Sequence, residues 1–294
     1  MSPDNWFVLA FASAVFSAGA ALSQKKILFE MEALLFSLLL FVFVVLFSLP
    51  FALYTDFSGL SFAAICVLFL RSFLGALSFL FVMLSIKNME ISRALPLLAL
   101  TPGIVAFFAF LLLKDNLTFI QICGMLLLLL GTYVLEIKGR GKLSEPLKVM
   151  TKSKAHHYVI GALLLFTITS ITDRALLNKY NFSPEPYFLI QQLFYLISFL
   201  LMLIISKNKN HILMVLRNVN IIKWILLIAV LTVSYRYTEI LAIKIAPVAL
   251  VLSVKRISIF FAVIIGGRLF NEKELSKKVI ASALIICGSL LITM

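Results

Sequence analysis

Long apolar runs separated by short polar breaks set the pattern of this chain. A bilayer-spanning helix needs about 20 predominantly apolar residues. Ten runs meet or approach that length: 6–24, 33–54, 62–86, 94–113, 118–137, 158–177, 187–205, 221–243, 246–270 and 279–293. The last is short, and snorkelling of the Lys277–Lys278 stems toward the interface is expected to complete it. Stretches such as Leu126 to Leu130 are apolar all round, as lipid-embedded or fully buried helices are. A membrane barrel is excluded, because its strands would alternate apolar and polar residues. The pattern predicts an all-α integral membrane protein with ten transmembrane helices. Pro96, Pro102 and Pro247 fall within or near the starts of spans 4 and 9, where each removes a backbone donor and favours a kink.

The longest polar segment, 138–157, divides the chain into two sets of five spans. Leu84-Ser85-Ile86-Lys87 matches Leu241-Ala242-Ile243-Lys244 at an offset of 157, and the same offset pairs Asp115 with Glu272 and Gly131 with Gly288. Residues 1–137 and 158–294 therefore read as two five-helix repeats joined by a basic linker over 138–157. An odd number of spans per repeat inverts one repeat relative to the other, an architecture common among transporters.

Composition agrees with the pattern. Of 294 residues, 62% are hydrophobic and 13% charged, against about 25% charged in an ordinary soluble domain. A net charge of +13 on a soluble protein would suggest nucleic acid. Here most Lys and Arg lie in loops, and no basic stripe with interleaved aromatics occurs outside the spans. Loops after odd-numbered spans carry eighteen Lys or Arg and those after even-numbered spans three. The positive-inside rule then places the odd loops in the cytoplasm and both termini outside, in a cell (plasma) membrane. The first span lacks a basic start and an Ala-x-Ala site, and reads as a membrane helix rather than a cleaved signal. Cys66, Cys123 and Cys287 lie apart within apolar runs, and His156, His157 and His211 fall in expected loops. Neither set has metal-ligand spacing, so no metal or other cofactor is expected.

Chemistry is expected where charge enters the spans. Arg71, Arg174, Arg236, Lys255 and Arg256 are five intramembrane cations, and Asp173 and Glu239 are the two acids. A charge at the bilayer centre costs at least about 2.5–3.5 kcal/mol, so such residues face a protein interior or a water-filled cavity. Lys255 and Arg256 lie deepest, with Ser253 on the Arg256 face. They are candidate ligands for an anionic group, or else a structural tie to Glu239 or Asp173. Arg71, with Gly75 and Ser78 on its face, is a second candidate. Arg236 and Glu239 are three apart and could pair within their helix, and Tyr235 and Tyr237 flank Arg236 with hydroxyl donors. Asp173 and Arg174, near the end of span 6, are candidates for gating or coupling along with Glu239. Ser13, Ser17, Ala20 and Gln24 form a small, polar stripe on span 1 that would line a cavity or allow close packing.

The helix count, the repeat and the turn-plus-acid pattern at Leu113-Lys114-Asp115-Asn116-Leu117-Thr118 and Phe270-Asn271-Glu272-Lys273-Glu274-Leu275 resemble the drug/metabolite transporter superfamily in its ten-helix form. The Lys255–Arg256 pair resembles the basic pair of triose-phosphate/phosphate translocators, where it binds phosphate. Helix 4 here lacks the mid-depth basic residue of those translocators, and the charge count opposes the superfamily's cytoplasmic termini. The resemblance implies a central cavity lined by helices 1, 3, 4, 6, 8 and 9 and alternating access. The leading expectation is a secondary transporter of a small anionic or zwitterionic metabolite, not an enzyme, whose partners are that substrate and the lipid bilayer. An exporter of amino acids or drugs with structural cations is the alternative. A lipid-linked transferase would need acids or histidines clustered at a membrane face, which the loops do not offer.

Overall fold

The computed structural model describes residues 5–53, 55–57, 60–101, 103–104, 118–137, 152–179, 184–206, 218–245, 251 and 254–293. Among these, ten helices occur and no strand: α1 (Asn5–Ile27), α2 (Ala33–Ala52), α3 (Phe62–Asn88), α4 (Ile91–Leu98), α5 (Phe119–Glu136), α6 (Lys154–Lys179), α7 (Pro184–Ile205), α8 (Val219–Ile245), α9 (Ile257–Leu269) and α10 (Leu275–Thr293). Seven of them, α1, α2, α3, α5, α7, α8 and α10, are long and apolar enough to cross a membrane. The protein is an all-α, multi-pass integral membrane protein.

Local sequence explains the helix starts. Ser61 caps α3 by accepting from the Ala64 N–H at 3.2 Å. Thr118 and Gln121 form a reciprocal capping box at α5, which satisfies two N–H groups that would otherwise be orphaned. Several boundaries differ from expectation, with α4 covering Ile91–Leu98 and α9 starting at Ile257 against expected spans of 94–113 and 246–270, which lie in part outside the described residues. α10 begins at Leu275 rather than 279, so it needs no snorkelling, and Lys278 turns inward to 1% exposure. α6 begins at Lys154, so His156 lies in its first turn at 3% exposure rather than in a loop. Both residues bury because acids wait for them inside.

Packing pairs the helices across the two halves. α1 lies on α8 and α3 on α6; α2 lies on α7 and α5 on α10; α4 and α9 touch each other. Exchanging each helix of the first five for its counterpart five places later returns the same set of pairs. The α5–α10 seam repeats the relation in detail. A Cβ on Gly288 would lie 2.6 Å from the Gly124 carbonyl oxygen and 2.8 Å from the Leu128 nitrogen. A Cβ on Gly131 would lie 3.0 Å from the Ala281 carbonyl oxygen and 2.9 Å from the Ile285 nitrogen. The two contacts are images at the 157-residue offset. Lipid offers no hydrophobic drive for helix association, so backbone-to-backbone approach over small residues supplies the attraction.

Gly288→Leu forces those backbones apart, an overpacking that costs about 1–3 kcal/mol. The purified variant should melt measurably lower in detergent. Gly19→Ala is the control, since its Cβ would meet only a Leu231 methyl at 3.6 Å, and it should melt like the parent. Equal melting temperatures for both would refute the close seam.

Candidate functional site

The centre of the molecule gathers most of the expected cations. On α3, Arg71 is 9% exposed and donates from Nη1 to the Tyr195 hydroxyl of α7 at 2.9 Å. Tyr195 is itself fixed by Phe41, with ring centroids 5.0 Å apart. Gly75 makes room for this bond: a Cβ there would overlap the Tyr195 hydroxyl and sit 2.9 Å from Arg71 Nη1. Arg236 on α8 lies within electrostatic reach of Arg71, Tyr195, Tyr235 and Glu239, with its Cζ 5.7 Å from the Tyr235 ring centroid. The Tyr235 carbonyl accepts from Ser13 on α1 at 2.7 Å, which ties the small, polar stripe of α1 to this part of α8.

Lys255 enters from the break that precedes α9. Val254 and Lys255 are helical, Arg256 is a turn residue at φ −61° and ψ −19°, and α9 starts at Ile257. Interrupted helices at mid-membrane expose backbone and side chains to a ligand path. Lys255 Nζ donates to Glu239 Oε2 at 2.6 Å and lies 4.9 Å from the Tyr235 ring centroid. The hydrogen-bonded pair therefore joins α8 to the α9 break, while the Arg236 guanidinium lies over Tyr235. The buried Nε atoms of Arg236 and Arg256 have no hydrogen-bond acceptor among the described residues.

The structure thus assembles Arg71, Arg236, Tyr235, Glu239 and Lys255, with Arg256 adjoining in sequence. Tyr237 stands apart: it is 38% exposed and packs on Phe51 at 4.5 Å. Asp173 and Arg174 lie in α6, but their side chains, like Ser253 as a whole, fall outside the described residues. Tyr195 is an addition that sequence reasoning missed. Its one signal is Gly75, a full turn from Arg71, since a glycine beside a buried arginine leaves space for a partner.

A second charged cluster lies at the end of the molecule that carries the odd-numbered loops. α9 ends in a Schellman motif: Asn271, at φ 51°, supplies the left-handed residue, and the Glu272 N–H returns to the Gly267 carbonyl at 2.8 Å. That turn aims Glu272 at the start of α4. Its Oε1 accepts from the Ile91 N–H at 2.7 Å and its Oε2 from the Ser92 N–H at 3.2 Å, with the Ser92 hydroxyl also donating. Lys278 on α10 bridges Glu90 at 2.8 Å and Glu272 at 3.6 Å. Burial alone would raise the Glu90 carboxyl, but the Lys278 hydrogen bond and the charges of Lys278 and Arg93 outweigh it and hold the carboxyl below its usual range. Lys25 at the end of α1 donates to the carbonyls of Ile86 and Met89 at 2.5 and 2.8 Å, satisfying the frayed end of α3. Sequence reasoning counted Lys25 as loop charge and Lys278 as a loop charge whose stem snorkels.

The Lys255–Glu239 pair is testable by itself. Lys255→Met and Glu239→Gln should each lower the melting temperature, and the double variant should lose less than their sum. A coupling of about 1–3 kcal/mol is expected for partners in contact. Strict additivity would mean the pair is not formed.

Comparison with known proteins fits this geometry. A solved structure described as "Crystal structure of protein" aligns over 98% of this chain and 96% of its own, with a TM-score of 0.64 and 16% identity. It shares the fold. No curated protein matches. Residues 4–137, which run from α1 through α5, match the EamA-like transporter family. The ten helices of the described residues, paired across the halves, agree with this match, which makes the chain similar over residues 4–137 to the EamA-like transporter family of the drug/metabolite transporter superfamily.

Proposed function

We propose that this membrane transporter moves a small anionic or zwitterionic metabolite by alternating access, with its substrate bound among Arg71, Arg236, Lys255, Arg256, Tyr195 and Tyr235. The supporting observation is the pair of buried guanidinium Nε–H groups, on Arg236 and Arg256, with no acceptor among the described residues. A buried donor left unsatisfied costs about 1–3 kcal/mol, more when charged. A carboxylate or phosphate oxygen removes that cost, and a planar guanidinium presents two parallel donors to it. Glu239, held by Lys255, gives the same site one acceptor, which an ammonium group of a zwitterion would use.

Inverted repeats accord with the matched helix pairs and give the two states by exchange of equivalent contacts. Among the described residues, Glu272, Lys278 and Glu90 tie α4, α9 and α10 together at the end bearing the odd-numbered loops. The charge count assigns that end to the cytoplasm and both termini to the outside.

Uptake into proteoliposomes tests the substrate class. The panel comprises inorganic phosphate, a phosphorylated sugar, a dicarboxylate, neutral amino acids and cationic dyes. Anions or zwitterions should be taken up, and Arg256→Lys and Arg236→Gln should each weaken apparent affinity roughly tenfold to a hundredfold, at about 1.4 kcal/mol per decade. Uptake of cationic dyes alone, or unchanged affinity in folded variants, would refute the anion site. For orientation, a single cysteine at Lys273 in a cysteine-free background should resist an impermeant maleimide applied to intact cells. Rapid labelling there would reverse the assignment.

A further inference from the structure

α7 buries one stripe at helical spacing: Phe188, Gln191, Gln192, Tyr195, Ser198 and Phe199. Four of these side chains are polar, and three of the four are bonded. Gln191 Nε2 donates to the Tyr187 hydroxyl at 3.1 Å, the Tyr195 hydroxyl accepts from Arg71, and the Ser198 hydroxyl donates to the Phe194 carbonyl at 2.7 Å. Gln192 differs. It is 0% exposed, yet neither Oε1 nor Nε2 has a hydrogen-bond partner among the described residues. A buried amide without a partner destabilises a fold, and an apolar side chain of similar length would fill the place at less cost. Side chains that break the rules of burial in this way are expected where a ligand binds.

Its place in the fold points to the ligand. Gln192 stands three residues before Tyr195, about 4.5 Å along the helix axis and about 60° around it. Tyr195 bonds Arg71 and lies within electrostatic reach of Arg236. α8 repeats the arrangement. Thr232, 2% exposed and with its hydroxyl unpartnered among the described residues, stands one turn before Arg236, whose Nε is unpartnered too. α2 packs on both α7 and α8, so the two turns adjoin one helix. Each of α7 and α8 thus carries a residue of the cationic site and, one turn away, a neutral group able both to donate and to accept.

We propose that Gln192 is a specificity-determining residue of the central site, bonding a hydroxyl or amide on the body of the substrate while the guanidinium groups hold its anionic group. This rests on the central site proposed above and narrows it, from any small anion or zwitterion to one that carries a hydroxyl or an amide. A carboxamide suits such a group, since Nε2 donates and Oε1 accepts. A plain hydrocarbon body would leave both unbonded. The amide is enclosed in this conformation, so the contact forms with the movement that alternating access supplies.

Probes matched in charge test the assignment in proteoliposomes: malate against succinate, glycerol 3-phosphate against n-propyl phosphate, and serine against alanine. In whichever pair the protein binds, competition should favour the hydroxyl-bearing member by at least about tenfold, as sites that hydrogen-bond a substrate hydroxyl do. Gln192→Met should bring that ratio close to one. Gln191→Met, at the next position but bonded to Tyr187, should keep it. Purified protein without ligand gives a second measurement. Gln192→Met removes an unbonded amide and should melt no lower than the parent, whereas Gln191→Met breaks a bond and should melt lower. A ratio that survives Gln192→Met, or a parent protein blind to the hydroxyl, overturns the proposal and leaves the anion site standing. So does a lower melting temperature for Gln192→Met, which would mark its amide as structural. Binding of neither member of any pair defeats the anion reading itself, and this inference with it.

Discussion

The carboxylate of Glu272 is the contact on which the described conformation hangs. α4 starts with backbone N–H groups that have no partner within the helix, at Ile91 and Ser92, which are fully buried. Glu272 supplies two acceptors from another helix's end, and the negative charge suits the positive end of the α4 dipole. Such a cap cannot form until α9 has ended in the correct turn. Asn271 in the left-handed region and the return bond from Glu272 to Gly267 provide that turn. Lys278 then compensates the carboxylate charge and draws α10 and Glu90 into the same knot.

With that end fixed, the rest of the packing follows from the need to satisfy polar atoms in an apolar medium. The α5–α10 seam uses Gly124, Gly131, Ala281 and Gly288 to bring backbones together, because apolar side chains gain little by leaving lipid for one another. Buried serines and threonines return their hydroxyls to carbonyls one turn earlier, as Ser37, Ser48 and Thr167 do. Other bonds cross between helices, as Ser78 does to the Ala162 carbonyl and Arg71 to Tyr195, and the last requires Gly75 to exist. Buried polar atoms without a hydrogen-bond partner among the described residues include those of Arg236, Arg256, Gln192, Thr232, Glu136 and His156.

The fold was legible because its determinants are local and repeated. Among the described residues seven of the expected runs are helices long enough to span, and the offset of 157 residues that pairs Gly131 with Gly288 reappears as matched contacts in the seam. The central site was legible in part, since depth and charge singled out Arg71, Arg236, Glu239 and Lys255. Partner choice was left open: the i, i+3 spacing offered Arg236 to Glu239 and depth offered Lys255, and the bonded partner of Glu239 is Lys255. The end that carries Glu272 was least legible. Lys25, Lys278 and His156 look like ordinary loop charges by composition. Only tertiary structure shows that acids from other helices bury them. Tyr237 marks the opposite failure: its sequence neighbours are central, but one residue turns a helix by about 100° and carries it to the outer face against Phe51.

α9 connects the two charged clusters physically. It runs unbroken from Ile257 to Leu269, a rod of roughly 20 Å at about 1.5 Å per residue. Its N-terminal neighbour is Arg256, beside Lys255 and Glu239. Its C-terminal turn carries Glu272 to α4. A helix of that length is stiff, so a shift at the Lys255–Glu239 pair has two places to go: into the break at Arg256 or along the rod to the cap. Arg256, with helical φ and ψ, stands between Lys255 and α9, so the Lys255–Glu239 pair and the Glu272 cap lie at the two ends of one helix.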